Sequence, residues 1–163
     1  MLKELGEYKN RLRSIFENDD KICRLLLGEG YEDADFDIID ELDKYMIPHL
    51  YVNDIITETK AYIMYETNLV RVGPSIKEMG VTVQVICHKD FLKYPESPAS
   101  YSGLRYDVLA EYIEELLCPN SREKREYIIK NFGIGDFRLQ PTELFLTDTY
   151  IGRTLTFTTP DFR

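Results

Sequence analysis

Apolar positions recur every three or four residues up to about residue 50, and every second residue through much of the remaining chain. Leu2, Leu5, Tyr8, Leu12, Ile15 and Phe16 make one stripe, which predicts an amphipathic helix. Asp19 or Asp20 can cap a short second helix carrying Ile22, Leu25, Leu26 and Leu27, stopped by Gly28 and Gly30. A third helix is predicted over Asp35–Met46, with Phe36, Ile39, Leu42 and Met46 on one side and Pro48 beyond its end. From Tyr51 the period shortens. AYIMYETNLVRV, Ala61–Val72, is rich in aromatic and β-branched residues and reads as a strand. A long turn, Gly73–Gly80, leads to VTVQVICHK as the antiparallel partner.

KYPESPASYSG, Lys93–Gly103, holds two prolines and three serines and reads as an exposed loop. Ser102 is then a plausible N-cap for the clearest helix in the chain, whose stripe is Leu104, Val108, Leu109, Tyr112, Ile113, Leu116 and Leu117. Asp107, Glu111, Glu114 and Glu115 oppose that stripe, and Pro119 follows it. A stripe this wide requires a sheet to lie on. A basic helical turn and a glycine bend at 133–135 come next, then FRLQPTELFLTD, a strand that Pro141 marks as an edge or a bulge. Asp148 and Thr149 turn into YIGRTLTFTT, where Ile151, Leu155 and Phe157 alternate with Gly152, Thr154, Thr156 and Thr158. The expected fold is α+β: N-terminal helices, an antiparallel sheet of four or more strands, and one long helix packed across it. The expected organisation is one domain over 1–163, with a helical segment to residue 48 and the sheet and long helix over 49–163.

Composition narrows the function classes. Net charge is −9, so the surface repels phosphate backbones and direct nucleic-acid binding is disfavoured. The basic cluster at 122–130 is interleaved with Glu123 and Glu126, which favours a solvated helix face. No apolar run approaches the roughly 18 residues of a membrane span, and the N-terminus lacks a secretory apolar core, so synthesis in the cytosol is expected. Cys23, Cys87 and Cys118 are odd in number and widely spaced, which fits neither a disulfide framework nor a zinc knuckle.

Two stretches invite chemistry. Cys87 and His88 are adjacent, with Asp90 close by. In a strand, however, Cys87 continues the row of Val81, Val83 and Val85 into the core, and His88 points the other way, so they form neither a metal site nor a thiolate–imidazole pair without a bulge. The acidic run Glu32–Asp43 alternates Asp33, Asp35 and Asp37, but a calcium loop starting at Asp33 needs Gly where Ile38 stands and Glu where Lys44 stands. An acidic helix N-terminus is the simpler account. No phosphate-binding, dinucleotide or hydrolase motif occurs, so no enzyme activity, cofactor or metal is expected.

What exceeds these housekeeping features is a long hairpin, a threonine-faced strand, a proline–serine loop, and twelve tyrosines with no tryptophan. VQVICHKDF, GLRYDVLAEYIEELL and YIGRTLTFTTPDF resemble, in that order, the neck and tail-completion proteins of tailed bacteriophages, above all the tail-terminator family. The resemblance covers the latter half of the chain. It implies a virion protein, present in the host cytoplasm during assembly, whose identical subunits close into a ring, as a rule a hexamer. Such a ring ends the tail tube and joins it to the head, with tube and connector proteins as partners, DNA only as passing cargo and no membrane. The three-helix opening is longer than a minimal tail terminator needs, which keeps a head–tail connector or head-closure role open. Arg71, Ser75, Lys77, Tyr94, Ser97, Tyr101, Tyr150 and Arg153 are the candidate subunit or partner contacts, because tyrosine and arginine are favoured in contact surfaces and these positions sit at the end of the first long strand, on turns and loops, and on the last strand. The competing classes are an enzyme with a site near His88 and a stand-alone regulatory binding module.

Overall fold

The computed structural model describes residues 2–93, 103–132 and 135–161. Helices α1 (Leu2–Glu17), α2 (Asp20–Leu27) and α3 (Ile38–Leu42) precede strands β1 (Met46–Ile47), β2 (Ala61–Val72) and β3 (Lys77–His88). Helices α4 (Arg105–Leu117) and α5 (Arg122–Phe132) come next, then β4 (Arg138–Leu139), β5 (Glu143–Leu146) and β6 (Tyr150–Asp161). The class is α+β, as the periodicity predicts. The sheet runs β1-β2-β3-β6-β4, with β5 also on β6, and every described pairing is antiparallel except β1 with β2. No helix among the described residues is long and apolar enough to cross a membrane.

Local chemistry sets most of the boundaries. Asp19 caps α2 by accepting a 2.9 Å bond from the Ile22 N–H, and Gly28, at φ 98°, ends it. Asp37 caps α3 in the same way from the Asp40 N–H. That third helix has five residues, and the predicted span to Met46 is corrected. The Ile63 N–H donates to Tyr45 O at 2.8 Å, which draws Met46 and Ile47 onto the edge of β2, where both are buried. Helical periodicity could not foresee this capture, because the partner strand lies far along the chain.

The hairpin is longer than expected. β2 and β3 have 12 residues each, and the connection shrinks to 73–76, closed by the Gly73 N–H on Ile76 O. Lys77 to Gly80 carry turn-like residues, yet they pair with β2 on one side and with β6 on the other. Two ladders outweigh their weak strand propensity. At about 3.3 Å per residue the hairpin extends close to 40 Å.

The helices are not all N-terminal, since α4 and α5 follow the hairpin. One sheet face carries Ile63, Tyr65, Val81, Val83, Leu155 and Phe157, all buried. The stripe of α4 (Val108, Leu109, Ile113, Leu117) and the Leu12 and Phe16 side of α1 cover it. The predicted basic turn is a full helix, α5, held by Ile128 and by Phe132, whose ring meets Tyr8 and Phe137. On the second face, Tyr51, Tyr62 and Tyr150 pack ring to ring at one end, while Thr154, Thr156 and Thr158 stay half-buried. Pro141 interrupts the outer strand: β4 and β5 lie on either side of it, both on β6, and the Gln140 N–H donates to Thr156 O.

Candidate assembly surface

Strand alternation decides the Cys87–His88 question. Cys87 is fully buried opposite Ala61 and Ile151, and desolvation pushes its thiol up to about 12. His88 is on the other face, where its ring meets Tyr150 edge-on and Nδ1 accepts the Asp90 N–H at 3.1 Å. The exposed Asp90 carboxylate stands 3.8 Å from that nitrogen. The imidazole acts as the cap of a short 3-10 turn, Lys89–Phe91.

The open surface lies elsewhere. At the hairpin tip Val70, Val72 and Ile76 are about half exposed, at 51%, 55% and 48%. A bulge between Leu69 and Arg71 breaks the β2 register there. Arg71 and Ser75 are exposed beside these residues, and Lys77 reaches back to Glu4 at 3.7 Å. β5 presents a second patch, with Leu144 and Leu146 at 59% and 62% exposed. Between them Phe145 turns to the opposite face and packs on Tyr51, 4.9 Å between ring centroids. Two side chains of an edge strand are thus left outward while the third is anchored.

These two patches occupy opposite corners of the sheet. The tip is level with Asp161 of β6, and Leu146 pairs with Ile151. That is ten residues along β6, about 33 Å. The tip belongs to the β2 side of the sheet and β5 to its far edge. Each patch is small, but apolar side chains on exposed strands are what edge strands normally avoid.

The other sequence candidates divide between the core and the chain's own ion pairs. Tyr150 is a core residue, 2% exposed, with its hydroxyl donating to Glu58 O at 2.7 Å. Arg153 is half-buried and engaged within the chain: it donates to the Asp107 carboxylate of α4 and lies over the Tyr106 ring. Tyr94, Ser97 and Tyr101 fall outside the described residues. Sequence reasoning missed Leu144 and Leu146. Their signal was two leucines flanking Phe145 just after a strand-breaking proline, a pattern that places them on one face of an edge.

Comparison with known proteins adds one relationship. The profile of the YomW family matches residues 19–159, most of the chain. That family carries a phage-type name, which points to a phage-associated protein. No curated protein matches.

Proposed function

Because the chain belongs to the YomW family, we propose that it is a structural protein of a phage particle, forming a ring at the neck that terminates the tail tube and joins it to the head. The observation that carries this reading is the pair of exposed apolar patches, Val70–Val72–Ile76 and Leu144–Leu146, at opposite corners of one sheet. A contact between two different patches is heterologous, and copies repeating it close into a ring when the rotation allows. The resemblance of the latter half to tail terminators supports the place in the particle. A net charge of −9 suits a ring around a DNA passage, because repulsion keeps the genome from sticking.

The test is V72D/I76D. Each side chain is about half exposed, so burying the remainder on assembly is worth about 1 kcal/mol apiece. Losing two such terms should weaken association by about 30-fold or more. The half of each side chain already buried in the fold is lost as well, so the unfolding free energy should fall by about 2 kcal/mol while the chain stays folded. Sedimentation across a concentration series reads the first effect and urea unfolding the second. Unchanged association would remove the hairpin tip from the interface and this reading with it.

A further inference from the structure

The helical side holds a cavity of about 520 Å³ between α1, the start of α2, α4 and α5, within the range of ordinary binding pockets. Ile15, Leu116 and Ile128 give it an apolar floor, and Tyr112 and Tyr127 stand at its walls. Arg11, Lys21 and Lys124 line it, which is local positive charge on a protein of net −9. Lys21 Nζ lies 4.9 Å from the centroid of the Tyr112 ring. The lining also holds two acids, Asp19, which caps α2, and Glu115, so its balance is three basic groups to two acidic ones. An acidic segment with an apolar anchor is the complement of such a cavity.

The chain carries one. Over residues 32–43, Asp33, Asp35, Asp37 and Asp40 are exposed, and they surround Phe36 and Ile39, which are 39% and 49% exposed. A chain does not bring this segment to its own cavity. Arg13 of α1 binds Asp43 at 2.8 Å and donates to Met46 O, while Arg11 donates to Phe132 O. Among the described residues none of 32–43 lines this chain's own cavity, and the segment is tied elsewhere at both ends, Asp43 by Arg13 and the neighbouring Tyr31 by the Asp20 carboxylate. We infer that the acidic segment of one copy docks in the α1–α4–α5 cavity of the next, with Phe36 on the apolar floor and Asp35 and Asp37 facing Lys21 and Lys124. The contact is again between different surfaces, so it propagates head to tail. It rests on the ring reading and names a second contact within it, on the helical side.

Carbodiimide joins lysines to carboxylates in direct contact, so it is applied to a mixture of isotope-labelled and unlabelled chains. The expected products are mixed-label links from Lys21 or Lys124 to Asp35, Asp37 or Asp40. K21E/K124E and D35K/D37K should each weaken self-association at least about tenfold, and mixing the two variants should restore part of it, since each mixed contact regains matched charges. The second pair keeps the test valid should the first fail to fold. If the wild type assembles but neither pair weakens it and no such links form, the inference falls and the ring reading stands. Links from the cavity to an acidic segment of a different phage protein would likewise overturn it. If the wild type never self-associates, both readings fall.

Discussion

Replacing Arg105 with Met should destabilise the fold severely, for reasons written in three hydrogen bonds. Arg105 is 4% exposed in the first turn of α4. Its guanidinium donates to Leu25 O at 2.9 Å, and to Phe91 O and Lys93 O at 3.3 Å. It also lies 3.9 Å from the centroid of the Phe91 ring. Leu25 O is in the last turn of α2, where carbonyls lack helical partners. One side chain thus ties α2, the turn after β3 and the start of α4 together. Met keeps most of the stem volume and removes every donor. A bond to a charged donor contributes about 1.5–3 kcal/mol, and the contributions do not add fully. The expected loss is about 4 kcal/mol, or a fall in Tm of about 8–16 °C for a domain of this size. Arg105→Lys retains the charge but lacks the fork that reaches three acceptors, so it should recover less than half of the loss. Urea unfolding followed by circular dichroism measures both variants. An R105M protein within about 0.5 kcal/mol of the wild type would refute the account of Arg105 as a fastener.

Gly152→Ala should cost about 2 kcal/mol or more in urea unfolding, because a Cβ there would lie 1.9 Å from Val85 O and force β3 and β6 apart; a neutral substitution would show that the ladder yields freely. Iodoacetamide at pH 8 should leave Cys87 unmodified in the native protein and modify it in urea, since burial holds its thiol near 12. The same shift sets an alkaline limit. Burial raises the native thiols above 9.0, to about 11 for Cys23 and Cys118 and about 12 for Cys87. Their contribution is full below pH 9 and is lost as pH climbs toward 12, because only the unfolded chain ionises there. Urea midpoints should therefore drop between pH 8.5 and 10.5, about where the unfolded thiols ionise, and a flat profile would contradict the burial argument.

The legible parts of the fold are those where burial imposes a period. The α4 stripe and the alternation of β3 and β6 were readable because each element lays one face on a common core. Met46 and Ile47 were not readable, because a strand distant in sequence recruits them. Lys77 to Gly80 misled in part for the same reason: beside the local hairpin ladder they gain a second one from β6, distant in sequence. α5 showed little period because Ile128 and Phe132 are its buried residues. Tyrosine's preference for contact surfaces pointed to Tyr150, which serves the core through Glu58 O instead. The helical cavity collects residues from α1, α2, α4 and α5, and no local pattern announces such a convergence.

The central claim is closure of identical subunits into a ring. Native mass spectrometry of the wild type, paired with particle imaging down the symmetry axis, tests it most directly. The account predicts one dominant closed oligomer with a central opening, dissolved by V72D/I76D. A strict monomer at all concentrations, with the tail tube and connector proteins present, would contradict it.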